Sequence, residues 1–136
     1  MTALLLGKTL VGMRAFDVAR GADVVARRME VDGGSIYVHG KGAGALPALY
    51  AALVDQRIRR VVLEGLLLSY ESVTSQRLHR EVFEQIVPGI LKHTDIPDLV
   101  AALAPRPVAV LSTADPLGRI ERRPGEPAAA DFFTRP

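Results

Sequence analysis

Apolar residues near the amino terminus recur at alternating steps of four and three. They are Val11, Ala15, Val18, Ala22, Val25 and Met29. This spacing places them on one face of a helix. The sequence therefore predicts an amphipathic helix from about Thr9 to Met29, with opposite charges such as Asp23 and Arg27 meeting on its solvent side.

The pattern changes between residues 35 and 54. Apolar and polar residues alternate from Ser35 to His39, three glycines follow at positions 40, 42 and 44, and apolar residues then return at helical spacing. Alternation is typical of a strand, and clustered glycines are typical of a turn. We therefore expect a strand over 35–39, a tight turn, and a helix from about Ala43 to Val54.

Two later segments are apolar without alternation, one from Arg59 to Leu63 and one from Val108 to Ser112. A continuous apolar run is typical of a strand covered on both faces in a parallel sheet. The sequence therefore predicts a three-layer α/β fold. Its sheet should be small and mostly parallel, with about three strands and helices on both faces.

The connection between these two strands contains three different patterns. The polar section 71–80 predicts a loop or short helix, and apolar residues over 82–91 mark a helical face that is broken at Pro88-Gly89. Asp95-Ile96-Pro97-Asp98 is typical of a capped helix start, with proline near the first helical position. We expect that helix to continue through Leu103.

Length and composition fit a single globular domain. The chain has 136 residues, and its composition changes to Arg, Glu, Pro and Ala after Arg119. We therefore divide it into a folded domain over 1–119 and a loosely ordered tail over 120–136.

Charge and residue usage argue against several kinds of partner. The net charge is +2, and the arginine pairs carry no interleaved aromatics or nucleic-acid motif, so we expect no nucleic-acid partner. There are no cysteines, and the three histidines lie too far apart for a local metal motif. No signal peptide or membrane span is evident. We expect a cytoplasmic protein without a metal or a membrane partner.

The glycine turn is compatible with two chemistries. Gly40-x-Gly42-x-x-Ala45 matches a dinucleotide-binding fingerprint, and Glu64 ends the next strand where a ribose-binding acid would lie. A nucleophile elbow has the same strand, turn and helix, with serine at the centre of G-x-S-x-G. A simpler interpretation is that the glycines only permit a sharp turn and close helix packing. Nucleotide binding at 40–45 remains an alternative, and our preferred interpretation has no cofactor.

Three ordered motifs carry a resemblance to a known family. They are Val31-Asp32-x-x-x-Ile36-x-Val38-x-Gly40, Ala48-Leu49-Tyr50-Ala51-Ala52-Leu53-x-Asp55-x-Arg57-Ile58, and Asp115-Pro116 after the last strand. Together they resemble the carboxyl-terminal half of an α/β-hydrolase of the acetyl xylan esterase and carbohydrate esterase group. The resemblance extends from about Thr9 to Arg119.

The resemblance implies a degenerate active site. Gly42 falls at the position of the nucleophilic serine, and Asp115 falls at the position of the triad acid, but no histidine follows Asp115. His39, next to the turn, is the candidate substitute base, and Ser112 is the best-placed alternative hydroxyl. The resemblance thus implies an esterase-related domain that is non-catalytic or weakly active. The alternative is a minimal carboxylic ester hydrolase acting on small esters through a nonstandard site.

The predicted strand order also bears on assembly. Three strands side by side in chain order leave one edge of the first strand exposed, and proteins generally cover such edges. We therefore expect a homodimer or other homo-oligomer that forms through this edge.

Overall fold

The computed structural model describes residues 7–80 and 82–121. Its helices are α1 (Leu10–Ala26), α2 (Ala45–Val54), α3 (Tyr70–Ser75) and α4 (Ile96–Ala101). Its strands are β1 (Ile36–Lys41), β2 (Ile58–Leu67), β3 (Val108–Ala114) and β4 (Ile120–Glu121). Short 3-10 turns lie at Gly42–Gly44, Phe83–Gln85 and Ile90–Lys92.

The four strands form one sheet in the order β1-β2-β3-β4. The pairs β1–β2 and β2–β3 are parallel, whereas β3–β4 is antiparallel. The predicted small and mostly parallel α/β sheet is therefore confirmed, with β4 as an additional strand. The sheet extends two residues past Arg119, and the rest of the predicted tail lies outside the described residues.

Three of the described helices, α1, α2 and α4, pack together against the sheet. α2 packs directly on β1 and β2, and both α1 and α4 pack against α2. On the other face of β1, Tyr37 and Lys41 are exposed. Right-handed crossovers between strands that follow one another in chain order place the helices that connect them on the same side of the sheet.

The core lies between α2 and β2. Leu46 and Leu49 of α2 and Ile58, Val61 and Leu63 of β2 are fully buried. They belong to one cluster that also receives Val11 of α1 and Leu103 after α4. This single cluster fixes α2 against the sheet, and with it the turn that connects β1 to α2.

Two side-chain clusters secure the helices. The Asp95 carboxylate accepts hydrogen bonds from the backbone N–H groups of Tyr70, Glu71 and Ile96, so it caps the starts of both α3 and α4. The Arg57 guanidinium binds Asp55 and also Asp23 of α1. Asp23 therefore pairs with Arg57 across the fold, and with Arg20 on its own helix.

The predicted helical face over 82–91 is wrong. This segment forms only the two 3-10 turns at Phe83–Gln85 and Ile90–Lys92. Pro88 lacks an N–H donor, and Gly89 adopts φ +78° in the left-handed region, so a helix cannot run through them. The predicted capped helix at Asp95 is confirmed, including the reciprocal bond from the Asp95 N–H to the Asp98 carboxylate.

Candidate functional site

The turn between β1 and α2 has the strand–turn–helix form of an elbow. β1 ends at Lys41, Gly42–Gly44 make a single 3-10 turn, and α2 begins at Ala45. A Cβ atom at Gly40 would lie 2.6 Å from the Gly44 carbonyl oxygen and 2.7 Å from the Ala45 Cα. Gly40 is therefore required for the close approach of α2 to β1.

Gly42 is the crest of this elbow. Its φ of +54° lies in the left-handed region, and a Cβ there would meet no atom within 4 Å. The position given to the nucleophile by the family resemblance is therefore open, with space for a side chain. Gly42, which occupies this position, has no side chain to fill that space.

Gly65 supports the crest from the neighbouring strand. A Cβ at Gly65 would lie 3.6 Å from both the Cα and the N atom of Gly42, and Gly65 itself has φ +68°. Its N–H donates to the Ser112 hydroxyl at 2.8 Å. Sequence analysis missed Gly65, although a lone glycine inside an apolar strand signals a bulge or a close backbone approach.

A cleft of about 470 Å³ opens beside the crest, at the carboxyl ends of the parallel strands. Gly42, Ala43, Gly65, Ala114 and Asp115 line it from the sheet. Clefts at this end of open α/β sheets are the usual place for ligands. The structure thus brings Gly42 and Asp115, two of the three predicted site residues, to one cleft.

The far wall of the cleft is formed by the first half of the connection between α3 and α4. It contains Arg80, Val82, Phe83, Glu84 and Gln85, which sequence analysis did not connect with the site. The Glu84 carboxylate is 2.7 Å from an Arg14 nitrogen of α1. Behind this wall the Tyr70 hydroxyl donates to the Gln85 carbonyl at 2.8 Å, and burial raises the pKa of Tyr70.

Asp115 stabilises its own turn. Its Oδ1 atom accepts the Leu117 N–H at 2.9 Å and the Arg119 N–H at 2.8 Å. Such bonds from aspartate to backbone groups a few residues ahead are common in turns. The carboxylate therefore lies at the cleft with a structural task, the connection of β3 to β4.

His39 lies elsewhere. It is not among the described residues that line the cleft. Its Nε2 atom is 3.4 Å from Glu64 Oε2, while Glu64 Oε1 is 3.1 Å from Lys41 Nζ. The acid suggested for a nucleotide ribose is thus engaged by two side chains of β1, and nucleotide binding stays a prediction.

The alternative hydroxyls are engaged with the backbone. Ser112 is 4% exposed and accepts the Gly65 N–H. The Ser69 hydroxyl accepts the Ser72 N–H at the start of α3, and the hydroxyls of Ser72 and Ser75 donate to carbonyls three residues earlier. The hydroxyls of these serines thus stabilise the local backbone.

The described residues also bear on metals and membranes. In residues 7–80 and 82–121, no three His, Cys, Asp or Glu side chains come together as metal ligands would. No helix in these ranges is long and apolar enough to cross a bilayer. The cytoplasmic location stays a prediction.

The proteins similar to this chain include one from a curated set and one of known structure. A Bacillus subtilis (strain 168) protein named "Putative hydrolase YtaP" is 31% identical over 105 residues, which is 76% of this chain and 35% of that protein. The crystal structure of "a putative acetyl xylan esterase" from Bacteroides fragilis NCTC 9343 matches with a TM-score of 0.73 at 21% identity. That match covers 82% of this chain and 31% of the esterase chain. No family model matches the sequence.

The chain thus spans about a third of the length of each of these proteins. The matched 82% of the chain corresponds in fold to part of the esterase. The chain therefore has a partial α/β fold similar to that of an esterase, and the resemblance predicted from its motifs is confirmed.

Proposed function

We propose that this chain is a hydrolase-related domain that does not perform serine-based acyl transfer and acts instead as a scaffold. One observation carries the proposal: Gly42 is the crest of the elbow and lines the cleft together with Asp115. The fold supports a hydrolase relationship. The residue at the nucleophile position has no atom that could attack an ester.

The chemistry explains why one residue matters so much. Acyl transfer needs a nucleophile, a base and oxyanion donors that act together. Removing the nucleophile from a complete site costs on the order of 10⁶ in kcat. Backbone N–H groups at the elbow can still polarise a carbonyl, so only a weak residual activity is compatible with Gly42.

A second candidate function has one observation in its favour. His39 lies beside the Glu64 carboxylate, with 3.4 Å between Nε2 and Oε2. An imidazole next to a carboxylate is the pairing that general bases use in hydrolases. A minimal carboxylesterase acting on small esters would use His39 as its base, with water as the nucleophile.

Hydrolysis of p-nitrophenyl acetate separates the two functions. The variants are His39→Ala and, as a matched control, His93→Ala, because His93 is an exposed imidazole that is not among the described residues lining the cleft. We expect the wild-type protein to hydrolyse the ester no faster than buffer does. Any slow hydrolysis above the buffer rate should decrease equally in the two variants, as for unspecific attack by surface imidazoles. A rate that is proportional to protein and falls only in His39→Ala would overturn the proposal.

A second pair of variants tests the position itself. Gly42→Ser places a hydroxyl in the open space at the crest, whereas Gly44→Ser places one two residues away, where a Cβ also meets no atom within 4 Å. We expect neither variant to gain ester turnover, because the described residues that line the cleft include no histidine to activate the hydroxyl. A gain specific to Gly42→Ser would show that the site needs only its nucleophile.

The scaffold role includes the predicted self-association. β1 is the outermost strand on its side of the described sheet, and exposed sheet edges are generally covered. We expect a light-scattering mass above that of one chain at micromolar concentration. A mass of one chain would count against assembly through this edge.

A further inference from the structure

Helix α1 carries apolar residues on two faces. Val11, Ala15 and Ala22 are buried against the rest of the fold. On the opposite side, Met13 is 45%, Phe16 is 60% and Val24 is 62% exposed. A helix that packs only on its own domain is expected to be polar on its outer face.

The exposed face has a regular order. Met13, Asp17, Arg20 and Val24 follow one another at steps of four, three and four, so they form one stripe along the helix. The stripe has an apolar residue at each end and opposite charges in the middle. Two copies of the stripe that run antiparallel therefore place apolar residues opposite apolar residues and opposite charges opposite each other.

We propose that this stripe binds the same stripe of a second copy of the chain, with the two α1 helices antiparallel. A two-fold axis between Val18 and Ala19 places Met13 opposite Val24 of the second copy, and Asp17 opposite Arg20 of the second copy. Each pair then occurs twice, as an isologous interface requires. The surface is distinct from the edge of β1 and does not depend on the chemistry of the elbow.

The charged residues are available for this pairing. The Asp17 side chain makes no hydrogen bond or ion pair within the described residues. Arg20 contacts Asp23 through Nη1 at 2.9 Å, and its guanidinium lies 5.0 Å from the Phe16 ring centroid. The Arg20 side chain is 63% exposed, and a guanidinium has five N–H donors, so it can bind a second carboxylate.

The interface is small. A stable complex normally buries more than about 1,000 Å² in total, and a single pair of helices with one stripe each buries less than this. We therefore expect a weak dimer that forms in the range of tens to hundreds of micromolar and weakens as salt screens the exposed charges.

Sedimentation equilibrium between about 10 and 500 µM tests the proposal through a charge-swap cycle. Asp17→Arg and Arg20→Asp each bring like charges together twice, and each should raise the dimer Kd about tenfold or more. The double variant restores both opposite-charge pairs and should return the Kd to within about threefold of the wild type. Glu30→Arg is the matched control for Asp17→Arg, since it makes the same change in charge at an exposed position outside the stripe.

Three outcomes would overturn the inference. One is a wild-type chain that stays monomeric at every concentration. Another is a dimer that both single variants leave unchanged, as expected if assembly used only the edge of β1. The third is a double variant that is as weak as the single ones.

Discussion

The elbow glycines should differ sharply in their tolerance of a methyl group. At Gly40 an added Cβ would lie 2.6 Å from the Gly44 carbonyl oxygen and 2.7 Å from both the Ala45 Cα and the Ala48 Cβ. Carbon atoms in contact normally lie about 3.5–4.0 Å apart. Two of these neighbours are backbone atoms, so α2 would have to move away from β1 by nearly an ångström.

Because Gly40→Ala would displace a packed helix, it should lower the free energy of unfolding by about 3 kcal/mol, the upper end of the range for overpacked cores. Gly42→Ala meets no atom, but it must hold φ +54°, which costs a residue with a side chain about 1 kcal/mol. Gly44 has φ −86° and ψ −13°, and a Cβ there also has open space. Gly44→Ala should therefore be neutral, or should stabilise the fold by up to about 1 kcal/mol because alanine lowers the conformational entropy of the unfolded chain.

Thermal unfolding measured by circular dichroism gives the ranking. For a domain of this size, 1 kcal/mol changes Tm by about 4 °C. We expect Gly40→Ala to lower Tm by about 12 °C, Gly42→Ala to lower it by about 4 °C, and Gly44→Ala to leave it unchanged or higher. The Gly44 variant is the control, because it adds the same methyl group within the same turn. If Gly40→Ala unfolded no earlier than Gly42→Ala, the close packing of α2 on β1 would be refuted.

Two further predictions concern the clusters that secure the helices. Asp95→Ala removes the acceptor for three backbone N–H groups at the starts of α3 and α4. It should lower the free energy of unfolding in urea by about 2–3 kcal/mol, and Asp95→Asn should cost less because it keeps one acceptor; equal losses would contradict the capping role. Hydrogen bonds from Arg57 hold the pKa of Asp23 and of Asp55 below 3.8. Their stabilisation is therefore present above that pH and lost as the pH falls through the lowered values. In Arg57→Leu, Tm should fall less steeply than in the wild type between about pH 5 and pH 2. An unchanged slope would show that these ion pairs contribute nothing to the pH dependence of stability.

Apolar patterning was sufficient to predict the sheet. The run that predicted a strand over 59–63 lies inside β2, Ile58–Leu67, and the run over 108–112 lies inside β3, Val108–Ala114. Buried parallel strands must be apolar on both faces, and few other elements of this length are. The end of β2 could not be predicted in this way, because the strand continues through Glu64 and Gly65, where the apolar run is interrupted.

The far wall of the cleft could not be predicted in the same way. The segment 82–91 has apolar residues at helical spacing, yet Pro88 and Gly89 restrict it to 3-10 turns. β4 has only two residues, Ile120–Glu121, which is too short for any period to show. Both segments take their shape from tertiary contacts, such as the bond from the Tyr70 hydroxyl to the Gln85 carbonyl and the pairing of β4 with β3.

The glycines predicted the shape of the elbow from the sequence, and that shape does not depend on a side chain at its crest. Its geometry depends on Gly40, which lets α2 approach β1, and on Gly65, whose N–H is held by Ser112. None of these contacts involves a side chain at position 42, where a Cβ would face open space. A glycine at the crest is therefore compatible with an intact fold, and it has no side-chain atom that could attack an ester. Packing around Gly40 and Gly65 is enough to hold the elbow in shape, so activity has to be measured with variants of Gly42 rather than inferred from the fold.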